Sequence, residues 1–207
     1  MAEQGGATPL LVLRGLRSVA GGPFDLEIAA GECVGLLGKS GSGKSALLRS
    51  IADLDPGDGE VELAGRRRES WPAPQWRRRV VYQAAEPAWW AADAAAHFHP
   101  GDAALLHALM PALGLAPDVL RTEIARLSTG ERQRLALIRS LAAAPEVLLL
   151  DEPTASLDAS SAAAMEALLC RRLAAGLAIL MVTHSTQQAQ RMGGRLFEMR
   201  DGALHPS

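Results

Sequence analysis

A chain of 207 residues is long enough for one domain with its own core and tight for two. Apolar residues make up 48% of it, which excludes a disordered chain. A formal net charge of -2 argues against broad nucleic-acid binding, because that needs a basic face to neutralise phosphates.

In chain order, residues 1–10 have no basic end and no apolar core, so no signal peptide is expected. Residues 24–28 read as a short strand. Residues 33–37 are an unbroken apolar run of strand length, followed at once by Gly38, Lys39 and Ser40. A helix is expected over 44–52. Residues 56–59, Pro-Gly-Asp-Gly, read as a turn before a strand at 60–63. The arginine runs at 66–68 and 77–79 are expected at a solvated edge of the sheet. Residues 87–127 are alanine-rich and broken by Pro100, Pro111 and Pro117, so they read as several short helices inserted into the core. Helices are expected over 130–143 and 160–174, and further apolar strands over 147–150 and 178–182. Residues 195–200, then Asp201-Gly202, then 203–205 carry a hairpin signal.

The three apolar runs do not alternate, which marks strands buried on both faces of a parallel sheet. Each ends in polar or glycine residues, the last two in Asp151-Glu152 and Thr183-His184. Ligands of open α/β sheets bind beyond the carboxyl ends of strands, so these ends predict one shared site. The longest apolar runs, such as 177–182, fall far short of the ~20 residues of a spanning helix. Cys33 and Cys170 are the only cysteines. They suggest no disulfide framework or metal site and fit a reducing cytosol.

Gly38-Lys39-Ser40-Gly41-Ser42-Gly43-Lys44-Ser45 fits the phosphate-loop pattern G-x-x-x-x-G-K-[ST]. Glycines let backbone N–H groups point inward together and let phosphates come close. The helix beginning near Lys44 turns its positive end to the anion. Lys44 then reaches the β- and γ-phosphates of a nucleotide, and the Ser45 hydroxyl holds Mg²⁺. The chain has only two lysines, both in this loop, while arginine is used freely elsewhere. A compact ammonium suits a crowded phosphate cradle.

Asp151 ends a buried strand and is placed to hold Mg²⁺, usually through water. Glu152 is expected to point to the other face of that strand and to polarise a water for attack on the γ-phosphate. Residues 127–133, Leu-Ser-Thr-Gly-Glu-Arg-Gln, read as a loop opening into a long helix, and a helix start is another anion site. By itself that segment is equally an ordinary helix cap.

The order of the phosphate loop, Gln83, residues 127–131, residues 148–153, Ser156-Leu157-Asp158 and His184 resembles the ABC transporter ATPases over nearly the whole chain. The resemblance implies an α/β fold: a P-loop NTPase of the ABC type, with a mostly parallel core sheet, an N-terminal antiparallel β part and a helical insertion. It implies one domain over 1–207, with a core of 1–86 and 144–207 and an insertion at 87–143. Gln83 would sense the γ-phosphate and Mg²⁺ and couple to a membrane partner. Ser128, Thr129, Gly130 and Glu131 would be the signature motif that completes a partner subunit's ATP site. Asp158 would lie in the D-loop between two sites, and His184 would be the switch histidine at the γ-phosphate. Catalysis would rest on Glu152, His184 and Lys44, with ATP and Mg²⁺ as cofactors and Ser45, Gln83 and Asp151 around the ion. The partners implied are a second ATPase subunit, paired head to tail on ATP, and an integral membrane permease at the inner face of a bacterial membrane. The stretches 77–98 and 119–141 are also similar to short bacterial ATPases of the iron-export (Fet-type) group.

The chain departs from the family at several positions. The signature usually reads Ser-Gly-Gly-Gln; here Thr129 brings a β-branched side chain and Glu131 takes the last place. Ala46, the last of the nucleotide-binding positions, lacks the threonine hydroxyl often found there. An aromatic that stacks on adenine usually precedes the first core strand; residues 17–23 offer none, and Phe24 reads as core. Trp89 and Trp90 read either as packing of the insertion or as an exposed pair where a membrane subunit docks. Two rivals to transport are a soluble ABC ATPase, as in iron–sulfur assembly, and an ATP-binding regulator with little turnover. Glu152 and His184 argue against the second.

Overall fold

The computed structural model describes residues 9–207. The absence of a signal peptide, expected from residues 1–10, falls mostly outside that range. Two sheets form the frame. The first is antiparallel, in the order β2-β1-β4-β5, with β1 at Pro9–Ser18, β2 at Gly21–Ala29, β4 at Gly57–Leu63 and β5 at Arg66–Arg67. The second has the order β10-β9-β3-β8-β7-β6. Its strands β9 (Arg195–Arg200), β3 (Cys33–Leu37), β8 (Ala178–Val182), β7 (Val147–Asp151) and β6 (Val80–Gln83) run parallel. β10 (Ala203–Pro206) returns antiparallel to β9.

The non-alternating runs are buried on both faces. Within β7, Val147 and Leu149 join a core with the antiparallel sheet, while Leu148 and Leu150 join a second core under the helices. β8 divides the same way, Leu180 to the first core and Ile179 and Met181 to the second. Successive side chains of a strand point to opposite faces, so a strand between two apolar layers must be apolar throughout. The first core also holds α1 (Lys44–Ile51) and Trp76 of α2 (Ala73–Arg79). Trp76 is fully buried and donates its indole N–H to Ile51 O at 3.0 Å. The second core is filled by α3 (Ala103–Ala112), α4 (Thr129–Ala142) and α5 (Ala159–Ala174). Residues 94–126 supply further single helical turns, two of them begun by Pro100 and Pro117.

Two expectations need correction. The Pro-Gly-Asp-Gly segment is not a turn before a strand: Gly57–Gly59 already belong to β4. The pairing of β1 with β4 shifts register between Arg14 and Arg17, and a Cβ on Gly57 or Gly59 would strike the backbone of β1 there. These glycines serve close strand contact at a bulge. Arg66 and Arg67 do form an edge strand, but residues 77–79 close α2. There Arg77 donates to Asp53 O, and Arg79 pairs with Glu146. The hairpin at β9–β10 turns on Asp201 and Gly202 at φ 52° and 72°, the left-handed pair of a type I′ turn.

Candidate active site

The carboxyl ends of β3, β7 and β8 are adjacent in the sheet. β3 runs into the loop of residues 38–43, where Gly38, Gly41 and Gly43 all have positive φ (146°, 77° and 102°). A side chain on Gly38 would collide with Met199 O, and one on Gly43 with the Ala20 methyl. The loop is thus pressed against its surroundings on one side. Lys39, Ser40 and Gly41 remain exposed, and the Ser42 N–H closes a turn to Lys39 O at 3.2 Å. α1 starts without a side-chain cap at Gly43. Its first N–H groups, up to Ala46, therefore remain open donors. Ser45 is exposed at the same end.

Lys44 is buried and curls back, donating to Gly38 O at 2.8 Å and Lys39 O at 2.9 Å. Burial lowers its pKa, against the opposing pull of Glu152 and Asp151. The ammonium is thus held by the loop and within the electrostatic reach of the two carboxylates. Asp151, also buried, accepts from the Tyr82 hydroxyl at 3.1 Å. Burial, then the Asp151 charge, raise the Tyr82 pKa, so the phenol stays a donor.

Glu152 is placed differently from expectation. It is not the next residue on the opposite face of a strand; it lies one past the end of β7, in left-handed backbone at φ 46°. That conformation costs a non-glycine residue roughly 1–2 kcal/mol. It is held by the Glu152 N–H donating to Val182 O at 3.0 Å. The turn aims the carboxylate at the next strand end, where Oε1 lies 2.6 Å from His184 Nε2.

Gln83, at the end of β6, is 3% exposed. Its Oε1 accepts from Ser140 of α4 at 3.3 Å, and its Nε2 has no partner among the described residues. An unpaired buried amide costs on the order of 1–3 kcal/mol, so this side chain gains from a ligand. Ser128 caps α4 in a reciprocal box. Its hydroxyl accepts from the Glu131 N–H at 3.2 Å, and Glu131 Oε2 accepts from the Ser128 N–H at 2.8 Å. The Ser128 hydroxyl, donating to Glu131 Oε2 at 2.7 Å, and then the Ser128 N–H hold the Glu131 pKa below the usual range. The acid at this place, a departure from the usual glutamine, thus completes the cap. Thr129 is exposed, and Gly130 packs against Ser156 and Leu157 of the same chain. Asp158 caps α5, accepting from the Ser161 N–H at 2.9 Å and the Ser160 and Ser161 hydroxyls. These bonds depress its pKa strongly.

Of the aromatic pair, Trp89 is half-buried against the second core and Trp90 is 73% exposed. The Arg139 guanidinium sits 4.4 and 4.9 Å from their ring centres, and His97 meets both edge-on. Trp89 thus packs within the insertion, and Trp90 is left exposed.

The structure brings Lys44, Asp151, Glu152 and His184 into one site, with Ser45 at its mouth. It does not join Gln83 to them by a hydrogen bond. Sequence reasoning passed over Tyr82 and the pairing partners of the 183–191 segment. The signal for Tyr82 was its being the only tyrosine, beside Gln83 in an apolar run. The donors fit Mg²⁺ with a nucleotide. They are a hydroxyl and a carboxylate oxygen, and this ion takes one or two such groups and completes its shell with phosphates and water.

A phosphate loop between a parallel strand and a helix, facing the carboxylates at the end of β7, defines a P-loop nucleotide-binding protein. The ABC transporter family matches residues 22–155. The aliphatic sulfonates import ATP-binding protein SsuB 2 of Nocardia farcinica is 41% identical, over 93% of this chain and 75% of that protein. Its namesake in Paracoccus denitrificans is 39% identical, over 95% and 80%. A dimeric ATP-binding cassette solved in a post-hydrolysis state with ADP and Pi shares the fold. Its TM-score is 0.83 at 23% identity, with 94% of this chain and 96% of that one covered. The chain belongs to the ABC transporter ATP-binding family, and it is an ATP-binding and ATP-hydrolysing subunit of an ABC transporter.

Proposed function

We propose that the site works as follows. Lys44 and the backbone N–H groups of residues 38–46 hold the phosphates of ATP. Ser45 and Asp151 supply oxygen ligands, with Tyr82 fixing the Asp151 carboxylate, and Gln83 joins them by leaving Ser140. Bound Mg²⁺ would offset charge on the phosphate oxygens. Glu152 accepts the proton of the attacking water, and His184 orients that carboxylate and contacts the γ-phosphate. Ser128, Thr129, Gly130 and Glu131 complete the site of a second copy, with Asp158 between the two sites. Gly130 packing on Ser156 and Leu157 supports this, since it puts both motifs on one surface. The observation that carries the reading is the Glu152–His184 contact beside Lys44.

The subunit is placed at the inner face of a cell membrane, bound to a separate permease. No helix among the described residues is long and apolar enough to cross a membrane. Trp90, exposed and braced by Arg139 and His97, suits an anchor for the permease. The sulfonate importers among the relatives favour uptake of a small organic anion, with specificity in the permease. The core of 1–86 and 144–207 with an insertion at 87–143 remains our division of the chain.

The test is Lys44→Ala. It should abolish ATP binding while far-UV circular dichroism stays unchanged, because the ammonium serves the ligand's charge. Parental turnover by this variant would refute the site.

A further inference from the structure

A cleft of about 290 Å³ opens beside Glu152 and His184, between α5 and α6 (Thr186–Arg191). Its floor is a polar network centred on Gln188, which is 3% exposed. Gln188 Oε1 accepts from the Thr183 hydroxyl at 2.8 Å. Gln188 Nε2 donates to Thr154 Oγ1 at 2.7 Å and to Glu166 Oε1 at 3.1 Å. Glu166 is in turn gripped by Arg191, whose Nε and Nη2 each donate at 2.8 Å.

The chemistry leaves the amide one orientation. A carboxylate held by Arg191 only accepts, so the Gln188 nitrogen must face Glu166, and the oxygen then faces Thr183. Both ends of the amide are thus committed, and both reach segments that carry the reacting groups. Thr183 directly precedes His184, and its Oγ1 also accepts from the Ser185 N–H at 3.0 Å. Thr154 lies two residues after Glu152. Besides the Glu152 N–H to Val182 O bond and the Glu152–His184 contact itself, Gln188 ties the two loops together.

We infer that Gln188 is a positioning residue that holds His184 in register with Glu152, with Thr154 and the Glu166–Arg191 pair as its supports. The inference rests on the reading that Glu152 and His184 act in hydrolysis. Its consequence is selective. Loosening the tie shifts the histidine against the carboxylate, whereas the phosphate loop, on another strand, binds ATP as before. A misplacement of about 1 Å at a reacting group can cost up to 10²-fold in rate.

The experiment measures kcat and KM for ATP on the full chain carrying Gln188→Leu, Thr154→Val or both. His184→Ala and Glu152→Gln are run in parallel. For Gln188→Leu the expected result is a kcat lower by about tenfold, with KM within about twofold of the parent. Thr154→Val should fall similarly, and the double variant no further than Gln188→Leu, because partners in one network are not additive. A charge swap adds a readout that a structural role alone would not move. Gln188→Glu sets two carboxylates against each other and should lower kcat; adding Glu166→Gln should restore it. If Gln188→Leu does not fold, Thr154→Val and the swap decide. Parental kcat in Gln188→Leu or Thr154→Val, with His184→Ala and Glu152→Gln impaired, overturns the positioning role alone. No rescue by the swap overturns it as well. Parental rates in His184→Ala and Glu152→Gln overturn the reading of the site, and this inference with it.

Discussion

Glu152 Oε1 and His184 Nε2 lie 2.6 Å apart, across the ends of the neighbouring parallel strands β7 and β8. The contact depends on the left-handed turn at Glu152, which takes the carboxylate off the line of its own strand. Glu152→Gln keeps the shape and removes the carboxylate proposed as the base. Hydrolysis should fall by about 10²-fold or more while ATP still binds. The arrested protein should elute as a dimer in Mg-ATP and as a monomer without it. A variant that hydrolyses ATP at the parental rate removes Glu152 from the chemistry.

Base selectivity should be weak. Among residues 17–23 the exposed apolar side chains are Val19, at 77%, and Pro23, neither aromatic, and the Ala20 methyl abuts the phosphate loop at Gly43. Phe24 is fully buried in the first core, so it cannot turn out to stack on a purine. Lost stacking weakens ATP and GTP alike, at about 1–3 kcal/mol per base. Titrating both nucleotides against Glu152→Gln should give affinities within about tenfold, or ~1.4 kcal/mol. A preference of a hundredfold or so, ~2.7 kcal/mol, would show that some other group reads the base.

Trp76→Ala should destabilise the fold by about 3–5 kcal/mol, from the cavity left by a fully buried indole. It also strands the Ile51 carbonyl that the indole N–H satisfies. Trp76→Phe keeps most of the apolar volume and should cost less. Urea unfolding of the two variants checks the order, and equal midpoints would contradict it.

The two cysteines should differ in reactivity. Cys33 is 2% exposed, and burial pushes its thiol up to about 12. At pH 8 it is therefore protonated as well as inaccessible, and the thiolate is the nucleophile. Cys170 is half-buried on α5 and open to reagent. An aromatic disulfide reagent should label one thiol in the native protein and the second only in guanidinium. Rapid labelling of both would mean that β3 opens readily.

The phosphate loop, the buried strands β3, β7 and β8 and the β9–β10 hairpin were legible in the sequence. Their causes are local: glycine spacing before Lys44, apolar runs too short for helices, and Asp201-Gly202 as a left-handed turn. β6 was not legible, because four residues with a tyrosine and a glutamine carry no pattern until β7 lies beside them. Gly57 and Gly59 looked like a turn because their reason, contact with the bulged backbone of β1, lies some forty residues away. Glu152 and His184 could be named as candidates from the strand ends, but only the tertiary turn at φ 46° sets one against the other. Gln188 stands in a polar stretch, Thr-Gln-Gln-Ala-Gln, that reads as solvated surface. Its three partners come from the segment after β8, from α5 and from the loop after β7. Sequence determines which groups a backbone can present; the packing of separate segments decides which of them meet, because hydrogen bonds form only where the folded chain brings donor and acceptor within reach.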